Sequence, residues 1–332
     1  MKKRIYLSLV ALFMASSTIF AGGADIRIVP RLEGAYNSYS NYEHQFGLGM
    51  SSLYSFLDGE IGDHFSYSAS FHFLSNHPQS LYKYESPCYN GTFVDWAYMS
   101  YNNSIIGFDL GKIIFNYGGF AYEENDVDVF SGMVPYLWND FCTYQYGLTF
   151  RVTPSENHSI EAQFATSPYM QSFKDMQFAY SLTWRGEMGR FSTVWTANLL
   201  NGKEADEDTG DVVKFTNINF GLGNKFEISD RWDIGLDLYA QMYDGSFNSF
   251  RNSEFDLSGT FHATDNLDIK ALAGLVFTNK AKLGLQIVYY PIEALRLHAV
   301  CSYCEDGYKF NPDKGFEASI GATYTLDFHL GK

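Results

Sequence analysis

From residue 25 to residue 328 the chain keeps returning to one pattern, an apolar residue at every second position. Phe65, Tyr67, Ala69, Phe71 and Phe73 stand against His64, Ser66, Ser68, Ser70 and His72. Tyr144, Tyr146, Leu148, Phe150 and Val152 stand against Thr143, Gln145, Gly147, Thr149 and Arg151. Successive side chains of a strand point to opposite faces, so a period of two predicts strands with one apolar and one polar face. No helical period competes over comparable lengths. The fold class is therefore all-β.

Sixteen such segments are expected, at 25–36, 46–58, 64–74, 92–102, 105–115, 142–153, 158–166, 175–185, 190–200, 212–226, 231–242, 253–263, 266–277, 281–290, 294–302 and 315–328. Every second connection is short and turn-like, from Gly62-Asp63 and Asn102-Asn103-Ser104 to Thr264-Asp265 and Pro291-Ile292-Glu293. The connections between them are longer and polar, including 75–91, 116–141, 201–211 and 303–314. Tight turns on one side and long loops on the other describe a transmembrane antiparallel β-barrel of 16 strands, which crosses a bilayer with no unpaired edge. One strand, 46–58, alternates poorly, with Gly47, Gly49, Ser52 and Ser55 blurring its faces.

The chain begins with a basic cluster, Lys2-Lys3-Arg4, then an apolar core from Ile5 to Phe13, then small residues up to Phe20-Ala21-Gly22. This is the layout of a secretory signal peptide, expected at 1–21 with 22–332 as a single barrel domain. Past it no apolar run approaches the ~18 residues of a spanning helix. Tyr (25) and Phe (29) are abundant and Pro (8) is scarce, as interfacial aromatic girdles and uninterrupted strands require. Without the first 21 residues the balance is 20 Lys and Arg against 38 Asp and Glu, a net charge of −18. That sign disfavours nucleic acid as a partner. The expected surroundings are outer-membrane lipid of a Gram-negative-type cell, and the expected solutes are small and hydrophilic, or ions.

The longest loop, 116–141, carries Gly118-Gly119 for a sharp reversal, Phe120, Val127, Val129 and Phe130 for packing, and the acids Glu123, Glu124, Asp126 and Asp128. Parity turns the bases Arg27, Arg31, Arg151, Arg185, Lys225, Lys270, Lys282 and Arg296 inward, together with more numerous acids, among them Glu33, Glu161, Asp233, Asp237, Glu254 and Asp256. Arg27, Arg31, Arg151, Arg185 and Arg296 are the candidate bases opposing the acidic loop.

Gly111-Lys112 running into Gly118-Gly119-Phe120 and then Asp126-Val127-Asp128-Val129 resembles the phosphate-selective porin O/P family in its Bacteroidetes-like form, and strand count and loop position resemble sixteen-stranded porins generally. The resemblance implies that this third extracellular loop folds inward and sets a pore constriction at Glu123, Glu124, Asp126 and Asp128. It also implies a homotrimer. Phosphate transport does not follow, because the loop is acidic and phosphate selectivity needs a ladder of Arg and Lys. The function expected is passive diffusion through a water-filled channel. The alternative is a non-conducting adhesin or receptor barrel whose loops bind a partner.

Cys88, Cys142, Cys301 and Cys304 are the candidate disulfide cysteines of an exported chain, with Cys88–Cys142 tying two loops. The Cys301-x-x-Cys304 spacing equally suits redox chemistry or a metal. No second C-x-x-C and no His cluster supports a metal, and no cofactor is expected. His72 and His77 form the best local histidine pair, but no nucleophile motif flanks them, so an enzyme is not expected.

Overall fold

The computed structural model describes residues 23–39, 45–49, 51–75, 93–123, 135, 141–170, 172–205, 212–243, 253–276, 280–305 and 315–331. These form a single antiparallel sheet closed on itself. The strands are β1 (Ala24–Tyr39), β2 (Gln45–Gly47 and Ser52–Ile61), β3 (Phe65–Ser75), β4 (Val94–Asn102) and β5 (Ile106–Ile114). After the long loop come β6 (Tyr144–Ser155), β7 (His158–Thr166), β8 (Phe178–Met188), β9 (Phe191–Ala205) and β10 (Val212–Ser229). The circuit continues with β11 (Trp232–Tyr243), β12 (Glu254–Thr264), β13 (Leu267–Val276), β14 (Lys280–Ile292) and β15 (Leu295–Cys304). It ends with β16, Gly315–Tyr324 and Leu326–Leu330. All sixteen expected strands are present.

Closure is made by β1, which pairs with β2 on one side and with both segments of β16 on the other. The ladder thus has no edge, the condition for a sheet in hydrocarbon, where each unpaired backbone group costs several kcal/mol. Ala24 lies opposite Leu330, so the barrel closes beyond Phe328.

The apolar face points out. Leu110 is 62% exposed, Leu182 55% and Ile320 69%, while the residues between them in sequence turn inward. In water such a surface would be untenable, whereas against acyl chains it is the buried side. Near the short turns the outer face carries paired rings, Tyr101 against Phe65 and Phe108, and Trp232 against Phe261 at 4.6 Å. These occupy the place of an interfacial aromatic girdle. Among the described residues no helix is long and apolar enough to cross a membrane, and the strands are the spanning elements.

The turns fall at the predicted places, and register shifts sit beside several of them, as between Glu227 and Ser229 and between His262 and Thr264. Such bulges let the ladder end in a tight reversal. Strands β9 and β10 run further than expected, paired up to Ala205 and Val212. Their outward positions need not be apolar once the ladder has left the lipid.

Candidate functional site

The interior is organised around the first arm of the long loop. After β5 the chain turns in, and Phe115, Tyr117 and Phe141 join Tyr169, Leu200, Phe215 and Tyr239 in a buried apolar cluster inside the barrel. Phe141 meets Tyr117 at 5.8 Å and Tyr169 at 5.0 Å between ring centroids. The Asn116 amide N–H donates to Gln163 Oε1 (2.8 Å), and its side-chain Nδ2 donates to Glu161 Oε2 (2.9 Å), both on β7. Ser181 of β8 donates to the Asn116 carbonyl at 3.2 Å.

The arm then crosses to β9–β11 on a glycine contact. Gly118 and Gly119 have φ of +80° and +83°, the left-handed region, so side chains there would be strained. A Cβ on Gly118 would lie 2.7 Å from the Gly221 carbonyl and from Thr196, and one on Gly223 would lie 2.7 Å from Gly119 Cα. Backbone therefore packs on backbone. Beyond it a single helical turn, α1 (Phe120–Glu123), opens with its Phe120 and Ala121 amides donating to the two oxygens of Asp237, at 3.0 and 2.5 Å. Asp237 is 4% exposed and sits on the inner face of β11. A carboxylate accepting the first free amides of a helical turn is a capping interaction, here made from the opposite element.

The charged residues follow from this path. Glu123, at the end of α1, is ion-paired with Arg185 of β8. Arg185 also lies 3.9 Å from Glu161, which accepts a 2.6 Å hydrogen bond from Arg151 Nε. Asp109 extends the chain, 3.4 Å from Arg151. Arg151, Arg185, Glu161, Asp109 and Glu123 thus form one alternating ladder on the inner wall. Arg27 lies elsewhere, with Asp327 at 3.0 Å, and Arg31 and Arg296 share Thr323 as acceptor at 3.1 and 3.3 Å. Among the described residues, Arg185 is the predicted opposing base that meets a predicted loop acid, Glu123. Glu124, Asp126 and Asp128 lie outside the described residues.

A second ionic cluster is fully enclosed. Lys282 of β14 is 1% exposed and is held by Glu254 and by Asp256 (3.0 Å) of β12. The anchoring role of Asp237 was missed by parity, which placed it inward without a partner. A signal was present in the inward glycines of Gly221-Leu222-Gly223, which leave room for another backbone.

The disulfide expectation is corrected at Cys301 and Cys304. They fall three apart on β15, so one faces out and the other in, and Cys301 is a free thiol. Cys142 is buried and keeps its thiol, with Sγ donating to the Tyr144 carbonyl at 3.6 Å. Cys88 and His77 lie outside the described residues. Among the described residues no three His, Cys, Asp or Glu side chains converge as a metal site. His72 binds Asp95 at 2.7 Å, and the Ser70 hydroxyl donates to the same carboxylate at 3.4 Å.

No protein-family model matches the chain, and no curated protein matches it. Solved structures do. OmpTdeltaL8, a loop L8 deletion mutant of OmpT, an outer membrane protein of Vibrio cholerae, is similar with a TM-score of 0.61 at 16% identity, over 92% of this chain and 100% of that one. The outer membrane channel DcaP of Acinetobacter baumannii is similar with a TM-score of 0.62 at 12% identity, over 92% and 98%. A mutant of the Rh. blastica porin gives 0.60 at 11% identity, over 91% and 100%. At these identities the likeness is one of fold, that of the porin-like outer-membrane β-barrel.

Proposed function

We propose that this outer-membrane-type barrel is a porin, a passive diffusion channel for small hydrophilic solutes or ions, constricted by its third extracellular loop. One observation carries the reading: the Phe120 and Ala121 amides reach across to Asp237, pinning the loop arm inside the barrel. Sixteen strands enclose more space than side chains fill, and an inward loop is what narrows the rest. Glu123 brings an acid to the inner ladder, and Glu124, Asp126 and Asp128 follow it in sequence as the remaining constriction acids. With the acid excess of the whole chain, this favours cations over phosphate. The polar inner wall supports transport rather than catalysis. The lipid-facing belt and the likeness to a trimer form of the Vibrio cholerae protein support an outer-membrane homotrimer.

Liposome swelling tests the pore directly. Vesicles holding the folded protein swell in isosmotic arabinose and more slowly in larger neutral sugars. Vesicles that do not swell with a folded barrel in them contradict the proposal and turn the function to a surface adhesin or receptor.

A further inference from the structure

The inner wall opposite the pinned loop carries a feature that diffusion does not use. In the ring of sixteen strands β2 stands eight places from β10, so β2–β4 face the wall to which the loop arm is anchored. The inner face there is not uniformly polar. The register places Tyr54 beside His72, Phe56 beside Ser70 and Ser70 beside Trp96, with Phe56 also level with Arg27 of β1. All four rings are half-buried. Tyr54 and Phe56 lie 6.4 Å apart with their planes 15° from parallel, one above the other along the strand. Phe56 meets Trp96 at 5.7 Å, and Tyr54 meets His72 at 6.1 Å. The rings thus form a track running along β2 and across to β4.

Placing large apolar rings on the water side of a membrane barrel inverts its usual alternation, as Phe215 and Tyr239 do where they pack against the loop arm. Their orientation is fixed by polar neighbours. Trp96 gives its indole N–H to Ser68 at 3.0 Å, and Asp95 holds His72 at 2.7 Å. Along its margins the track is bordered by hydroxyls and carboxylates, namely Ser68, Ser70, Asp95 and the exposed Asp58. A ligand suited to this wall has flat C–H faces at regular intervals and a rim of hydroxyls. A neutral linear saccharide has that form: each pyranose offers one face to a ring and its equatorial hydroxyls to the flanking oxygens.

We infer that Tyr54, Phe56 and Trp96 form a saccharide-binding track on the inner wall, so that the barrel takes up neutral linear oligosaccharides by stacking. The inference deepens the channel reading by naming a solute class, and binding itself needs no conduction.

The test uses the whole barrel with maltohexaose and cellohexaose as probes. Binding is followed by tryptophan fluorescence in detergent, and block of ion current is followed in planar bilayers. One hexasaccharide is expected to bind and to interrupt the current, with affinity about tenfold weaker in Phe56→Ala, the size of one lost ring contact. Phe56→Tyr keeps the affinity, and Trp96→Phe loses the fluorescence change while keeping the block. Conductance without block or binding by either sugar overturns the track and leaves the pore standing. Binding to a silent barrel supports the track and removes the pore. Equal affinity in Phe56→Ala, or a tetraethylammonium block with the same ring dependence and no sugar binding, also overturns it.

Discussion

At the scale of single residues the interior is held by charge pairs that sit where water is scarce. Lys282, between Glu254 and Asp256, is the most enclosed of them. Removing the base leaves two carboxylates facing each other away from solvent, and breaking a buried pair this way costs about 3–5 kcal/mol. Lys282→Ala is therefore expected to lower the urea midpoint of the refolded barrel markedly; an unchanged midpoint would show that the acids find water or protons at little cost. Arg151 plays a different part. It balances Glu161 and Asp109 on the wall next to the loop. Arg151→Ala leaves that wall more negative and should shift the reversal potential further toward cations. Selectivity untouched by both Arg151→Ala and Arg31→Ala would show that the candidate bases opposing the acidic loop do not set the ion preference.

In the proposed channel the long loop is the element that sets selectivity. Its position rests on the glycine contact with β10 and on two amide hydrogen bonds to one carboxylate. Asp237→Ala frees both amides without altering a strand. The expected record is a higher, noisier single-channel current, while the urea midpoint changes by less than in Lys282→Ala. A quiet trace of wild-type amplitude would mean that the glycine contact, the Asn116 hydrogen bonds and the buried ring cluster hold the arm without Asp237. The strands were legible in sequence because each spanning residue meets either lipid or water, which writes a period of two. The blurred pattern of β2 has a physical cause: Tyr54 and Phe56 face the lumen while Leu53 and Leu57 face lipid, so both faces read as apolar. The hydrogen bonds to Asp237 were not legible, since they join residues more than a hundred apart through backbone amides, and only the inward Gly221 and Gly223 mark the close approach in sequence. The C-x-x-C likewise reads as a pair in sequence and is separated only by the strand's alternation.

For the whole molecule the claim is that the outer surface meets hydrocarbon and the inner surface meets water. Leu285 and Gln286 are neighbours in β14 on opposite faces. Leu285→Arg puts a charge into lipid and is expected to cost about 2–4 kcal/mol if it lies near the midplane, whereas Gln286→Arg changes little. Equal effects in denaturant titrations would contradict the inside-out arrangement. The closed ladder follows from the requirement that backbone polar groups be satisfied within the sheet, and the outward apolar face from contact with lipid. The proposed channel stands on whether ions cross this interior, and of which sign.

Single-channel recording of the folded barrel in a planar bilayer, with the reversal potential read under a salt gradient, reaches that point most directly. Stable open channels with a potential favouring cations are predicted from the pinned acidic loop. An anion-favouring potential would contradict the account by giving the inner arginines control of the pore, and a folded barrel that never conducts would contradict the channel itself.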